Sequence, residues 1–281
     1  MKLKISVIIS TYGRYNEVGL LLESLVAQDC NPNVFEVIIV DQNDIVDLSS
    51  LVSDFTGKLN IIHYKTDIKG LSKAKNKGID ISKGSILTFS DDDCTFYPDT
   101  ISRALTYFEE NKNVDIVYGR LYDRKNDKCI MRVWSNKDLE LNKFNFHLNY
   151  SAVTCFTKIK SLRFNERFGV GSVIGLGEEL DYVMQSLNLG YNVYYSPKID
   201  IWHPELNVSV MSNEKVYKYA YGYGAVFRKN MDKNFAVIFA MSISYQLARF
   251  FLSTIKFDFK NVYKMYLGFK GRIFGFLAYK D

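Results

Sequence analysis

The chain has 281 residues, of which 47% are hydrophobic and 15% aromatic, and a formal net charge of +5. A chain of this length and composition can bury a substantial core as one domain, or as one domain with an appendage, and its ordinary glycine and proline content excludes disorder. The charge is unevenly spread, since residues 207–281 carry 12 Lys/Arg against 4 Asp/Glu, net +8, whereas residues 1–206 carry 24 against 27, net −3.

That asymmetry predicts an enzyme-like body over 1–206 and a basic, aromatic-rich helical region over 207–281. Basic and aromatic residues together also suit single-stranded nucleic acid, but the acidic front half argues against a nucleic-acid partner. The opening "MKLKISVIIS" passes from two lysines into a β-branched strand with no small-residue cleavage site, so no signal peptide is expected. Cys30, Cys94, Cys129 and Cys155 form no C-x-x-C pair and suit reduced thiols in the cytoplasm better than a disulfide scaffold or a zinc site.

Along the chain, "KISVIIS", "FEVIIVD", "LNIIHY", "SILTFSD" and "VDIVYG" are short apolar runs, with helical patterns between the first four. Val18, Leu21, Leu22 and Leu25, for instance, fall at i, i+3, i+4 and i+7. The rhythm predicts an α/β fold built on a mostly parallel sheet flanked by helices. Such sheets bind ligands outside the carboxyl ends of their strands, which gives Thr11, Tyr12, Asp41 and the run Asp91, Asp92, Asp93 one address. The competing reading makes each group a separate cap or turn.

After residue 120 the pattern loosens into a hairpin-like excursion, "RLYDRKNDKCIMRVW", followed by a strand at "YSAVTCFT". Gly171, Gly175 and Gly177 then suggest a loop that leads into a helix starting near Glu178. Glu178, Glu179 and Asp181 can be first-turn charges that suit the helix dipole.

Three adjacent carboxylates at the end of a buried strand repel one another and call for a cation. Neither a Walker A loop nor G-x-G-x-x-G occurs. An EF-hand is excluded because its sixth position would be Phe96 and its twelfth Ser102. A strand-end acidic site without a phosphate-cradling glycine loop fits Mg²⁺ or Mn²⁺ shared with substrate phosphates.

The stretch "SVIISTYGR" resembles the opening of family 2 glycosyltransferases, and "VIIVDQND", "GLSKAKNKGIDISKG", "SDDDC" and "GEELDYVMQSLNLGYNVYYSP" resemble that family's later motifs, in order, through roughly the first 200 residues. The resemblance implies a GT-A (Rossmann-like) fold, a nucleotide-sugar donor, a divalent metal and inversion at the anomeric carbon. It places Thr11 and Tyr12 beside the base, Asp41 on the uracil imide N–H, Lys75 and Asn76 near the donor, and Asp91 and Asp92 on the donor side. Asp93 becomes a metal ligand, His203 in "IDIWHPE" a further one, and Glu179 the general base with Asp181 in reserve. Gly13 departs from the usual Asn, Gln42 from the frequent second Asp, Lys75 from Arg and Glu179 from Asp. His63 and His147 are expected to be structural.

Residues 235–255, "FAVIFAMSISYQLARFFLSTI", are long enough to span a bilayer, but Gln246 and Arg249 count against a span. The tail's composition is that of helices lying at a membrane surface. A soluble packing surface or homo-oligomer contact is the alternative. A UDP-linked donor, a glycan or lipid-linked acceptor and a peripheral position at the inner face of the cell membrane are the corresponding expectations. The competing functions are a nucleotidyltransferase making nucleotide sugars, whose usual Gly-rich first loop is missing from "STYGRYNE", and a non-catalytic sugar-nucleotide-binding scaffold.

Overall fold

The computed structural model describes residues 3–205 and 211–280, so the boundary expected at residue 206 falls outside the described residues. Contacts divide the chain into two units, Met1–Arg163 with Gly190–Leu206, and Phe164–Leu189 with Asn207–Asp281. The first differs from the expected body in one respect: Phe164–Leu189, which includes the acidic helix, packs with the C-terminal helices.

The first unit holds the whole sheet. Its strands are β1 (Ile5–Thr11), β2 (Phe35–Asp41), β3 (Ile61–Lys65), β4 (Ile86–Asp91), β5 (Thr95–Phe96), β6 (Ile116–Asp123), β7 (Lys128–Cys129), β8 (Leu139–Leu141), β9 (Cys155–Thr157) and β10 (Val193–Trp202). Helices α1 (Asn16–Val26), α2 (Ser49–Phe55), α3 (Leu71–Ile81) and α4 (Thr100–Glu110) belong to the same unit. The strand order is β3-β2-β1-β4-β9-β6-β10-β5, with β7 on β6 and β8 on β10. The first four in that order run parallel, and β9 enters antiparallel between β4 and β6.

All seven residues of β1 and of β2 are buried, which is why both read as continuous apolar runs and not as alternating ones. Val18, Leu21, Leu22 and Leu25 form the buried stripe of α1. Two buried polar residues close the opposite end of the sheet, where Glu36 accepts from Ser6 Oγ at 2.6 Å and from the Lys83 amide at 2.6 Å. The excursion after residue 120 is the β6–β7 hairpin. In "YSAVTCFT" only Cys155–Thr157 is strand, because Ala152–Thr154 winds into a 3₁₀ turn first.

The second unit holds α5 (Glu178–Asn188), α6 (Asn213–Lys229), α7 (Lys233–Ile255) and α8 (Phe259–Ala278). The helix expected near Glu178 starts there, on Gly177 at φ 111°, where a side chain would be strained and a Cβ would come within 2.8 Å of Val226 Cγ2. Helices α6 and α8 approach backbone to backbone: a Cβ on Gly275 would overlap the Tyr221 carbonyl. By length and composition α7 could cross a bilayer.

Candidate active site

Strand register brings the predicted groups to one edge of the sheet. Thr11 lies opposite Asp41, and Ser10 opposite Asp91. A tight turn follows β4, closed by the buried Cys94, whose thiol donates to the Asp91 carbonyl at 3.0 Å and lies 2.9 Å from Ser90 Oγ. Burial pushes that thiol well above its usual range, so Cys94 is a packing element of the turn.

The turn presents Asp91 and Asp93 towards His203, which follows β10. His203 Nε2 is 3.4 Å from Asp93 Oδ1 and 4.0 Å from Asp91 Oδ2, and one ligand atom from each of the three residues falls within 4.8 Å of the others. The Pro204 carbonyl lies 2.7 Å from His203 Nδ1. A carbonyl can only accept, so the hydrogen bond assigns the proton to Nδ1 and, in the neutral ring, leaves the Nε2 lone pair facing two carboxylates. Two carboxylates and an imidazole nitrogen turned towards one another offer a cation three converging donor atoms. An imidazole oriented through its other nitrogen is the usual arrangement of a metal-binding histidine. The donor set therefore fits a divalent ion.

Beside the cluster, the Arg14 guanidinium spans the acidic turn, with Nη1 2.7 Å from Asp93 Oδ2 and Nε 3.2 Å from Asp92 Oδ1. Burial, reinforced by the Asp93 and Asp91 charges and opposed by Arg14, pushes the Asp92 carboxyl up to about 6. Nothing in the local sequence "STYGR" assigns Arg14 this role. Its partners lie nearly 80 residues on, and only the β1–β4 pairing brings them to it.

At the end of β2, Asp41 is 2% exposed and both of its oxygens are engaged. Oδ1 accepts from the Asn43 amide at 2.9 Å and from Asn43 Nδ2 at 2.7 Å, while Oδ2 lies 2.8 Å from His63 Nε2. His63 thus braces the aspartate expected at the base. Asn43 Oδ1 in turn accepts from the Gly13 amide. Gln42, standing where the family often has Asp, accepts from the Gly70 amide at 2.7 Å and so ties the β2 end to the start of α3. Tyr12 is 55% exposed, with the Lys69 ammonium 4.7 Å over its ring. On α3, Lys75 is buried and Asn76 half-buried.

Asp200 in β10 accepts from Arg120 Nε at 2.7 Å and Arg124 Nε at 2.9 Å, and Arg124 also reaches Asp99 at 2.7 Å. This network anchors β10 three residues before His203.

The family model described as "Glycosyl transferase family 2" matches residues 6–176, more than half of the chain. The chain belongs to glycosyl transferase family 2. Its relatives include an uncharacterized glycosyltransferase of Haemophilus influenzae, 35% identical over 118 residues, which cover 41% of this chain and 37% of that protein. The match spans 37% and 45% of the length of the first two curated relatives.

Among solved structures, S. aureus TarS residues 1–349 in complex with UDP resembles this family 2 chain with a TM-score of 0.59 at 16% identity, covering 97% of this chain and 92% of that one. Mannosyltransferase PcManGT from Pyrobaculum calidifontis, in complex with GDP-Man and Mn²⁺, gives 0.65 at 14% identity, covering 99% and 87%. The fold of this family 2 member is GT-A, a mixed α/β architecture with a curled central sheet flanked by helices, and a helical C-terminal region is present.

In the second unit, α5 separates the two carboxylates considered as base. Asp181 is fully buried and accepts from Lys229 at 2.8 Å, Asn230 at 2.7 Å and Gln185 at 2.6 Å. Burial raises its pKa, and Lys229 and the hydrogen bonds oppose the rise. Its carboxylate clamps α5 to the end of α6. Glu179 is half-buried in the first turn, one helical step of about 100° from the buried Glu178.

Asp181→Ala removes the acceptor of a largely buried ammonium and two amides. It should cost about 3 kcal/mol of stability, as breaking one side of a buried ion pair does. A melting scan by circular dichroism should show a drop of several degrees, and an unchanged melting temperature would assign Asp181 no clamping role.

Proposed function

We propose that this glycosyltransferase moves a sugar from a nucleotide diphosphate sugar, UDP-linked, to an acceptor hydroxyl on a glycan or lipid-linked precursor, with inversion at the anomeric carbon and a divalent ion held by Asp91, Asp93 and His203. The observation that carries the reading is the His203 geometry at the strand edge, with Nδ1 committed to a carbonyl and Nε2 turned to two carboxylates. An imidazole among the ligands favours Mn²⁺ over Mg²⁺, which prefers oxygen ligands alone. The mannosyltransferase complex with Mn²⁺ supports the same choice.

Bound there, the cation supplies charge neutralisation for the departing diphosphate. The protein's own groups do the rest. Thr11, Tyr12 and Asp41 border the base, with His63 and Asn43 holding the Asp41 carboxylate in place. Lys75 and Asn76 on α3 serve the donor, and Arg14 keeps Asp92 and Asp93 oriented. Glu179 takes the proton from the acceptor hydroxyl, because Asp181, the other first-turn candidate, is occupied by three donors. Four cysteines with no C-x-x-C pair suit an enzyme working at the inner face of the cell membrane.

Thermal melting in the presence of Mn²⁺ and UDP tests the reading. At 100 times its dissociation constant a ligand adds about 2.7 kcal/mol, which for a domain of this size raises the midpoint by about 5 °C or more. Asp41→Ala should lose most of the UDP-dependent rise while keeping the metal-dependent part. A shift with GDP and none with UDP would reassign the donor, and no shift with any nucleotide plus Mn²⁺ would overturn the proposal.

A further inference from the structure

Helix α7 is apolar nearly all round, with a mean hydropathy of 1.6 over its best 18-residue window, yet only 17% of that window is buried. A helix of this kind in a soluble core would be mostly covered. Here Val237, Met241, Tyr245, Leu252 and Ile255, spaced three, four or seven apart, form one exposed stripe, with exposures of 49, 61, 60, 56 and 73%. The stripe runs into the turn before α8, where Phe257 and Phe259 are 77 and 72% exposed and Phe257 adopts a left-handed backbone at φ 54°. Bulky aromatics pay for that conformation and that exposure only where something covers them.

The charges around the stripe indicate the chemistry of the cover. From residue 233 to 280 the chain has eight Lys/Arg and a single acid, Asp258. That acid is committed to the start of α8, its Oδ1 accepting from the Asn261 amide at 3.2 Å and its Oδ2 from Asn261 Nδ2 at 2.5 Å. Lys233 and Lys256 stand exposed at the two ends of α7. Lysines at the ends of an apolar helix, with aromatics at the turn, match the boundary between acyl chains and anionic headgroups.

Crossing the bilayer is the costlier arrangement. Gln246 is turned away, 8% exposed and within 3.0 Å of where a Gly268 Cβ would stand on α8. The two helices therefore form a hairpin, and spanning by α7 would carry its exposed Arg249 into hydrocarbon and the charged Lys264, Lys270 and Arg272 of α8 to membrane depth, where an arginine or lysine near the centre costs about 3 kcal/mol. Lying in the surface plane, the stripe enters the lipid and the lysines stay at the headgroups.

We propose that the outer face of α7 and the α7–α8 turn dock in the plane of an anionic lipid surface. The inference does not depend on the reaction assigned above. Flotation of the full chain with vesicles of mixed phosphatidylglycerol and phosphatidylcholine tests it, beside vesicles of phosphatidylcholine alone. The intact chain should float with the anionic vesicles, at least tenfold less with the neutral ones, and less as salt rises, because each basic group near the surface is screened within a Debye length.

The double substitution Phe257→Ser and Phe259→Ser should reduce flotation at least tenfold with an unchanged melting temperature, both side chains being exposed. Equal flotation of the intact chain on both lipids, or none on either, overturns the proposal. In lipid-free buffer, light scattering should give a monomer. A stable dimer that Met241→Glu and Leu252→Glu dissociate would show instead that a second copy of the chain covers the stripe.

Discussion

Asp93→Ala should yield a folded protein with no measurable sugar transfer at any practical Mn²⁺ concentration. Asp93 contributes Oδ1 to the cluster with Asp91 and His203, so its loss leaves a neutral imidazole and a single carboxylate charge to hold a divalent ion against water. Folding should survive, because its other contact is to a part-exposed Arg14, and exposed pairs contribute little. The measurement is transfer or donor hydrolysis against a Mn²⁺ titration, with the melting temperature as control. His203→Ala should weaken Mn²⁺ binding in the same assay without abolishing it, since two carboxylates remain. Full activity of Asp93→Ala, or of the intact protein in EDTA, would remove the metal from the mechanism.

Glu179→Gln should lower turnover by roughly 10² to 10⁴ while leaving donor affinity nearly unchanged, because the amide preserves size and packing but accepts no proton. Single-turnover rates and nucleotide affinity, measured side by side, separate the two effects. The informative comparison is Asp181→Asn, two residues along the same helix. That change should weaken the clamp to Lys229 and Asn230 and so lower the melting temperature more than it lowers turnover. If Asp181→Asn were the inactive protein and Glu179→Gln the active one, the roles of the two carboxylates would be exchanged. If both stayed active with retained stereochemistry, the inverting mechanism would fall.

Much of the site was legible because its signals are local. The aspartates end apolar runs, and in a parallel sheet the ends of such runs share an edge. The pairings were less legible. His63 faces Asp41 because β3 lies beside β2 in a register that sets Ile39 against His63 and Asp41 against Lys65, putting the imidazole diagonally across from the carboxylate. Alternation on β3 gives no hint of that neighbour. Arg14 meets Asp92 and Asp93 for the same kind of reason. On α5, helical phase offers a partial signal, since Glu178 and Asp181 lie three apart and both point inward, whereas Glu179 lies off that face.

Local pattern sufficed for the α/β class, the order of the first strands and helices, the acidic edge and the apolar length of α7, because each rests on periodicity or on residue type at a strand end. Long-range packing settled that β9 enters antiparallel, that Phe164–Leu189 packs with the C-terminal helices, that Asp181 is a clamp, and that His203 Nε2 faces Asp91 and Asp93. Those outcomes depend on contacts between residues tens of positions apart, where a carboxylate that binds an ion and one that holds two helices together have the same local sequence, and burial and partners alone tell them apart.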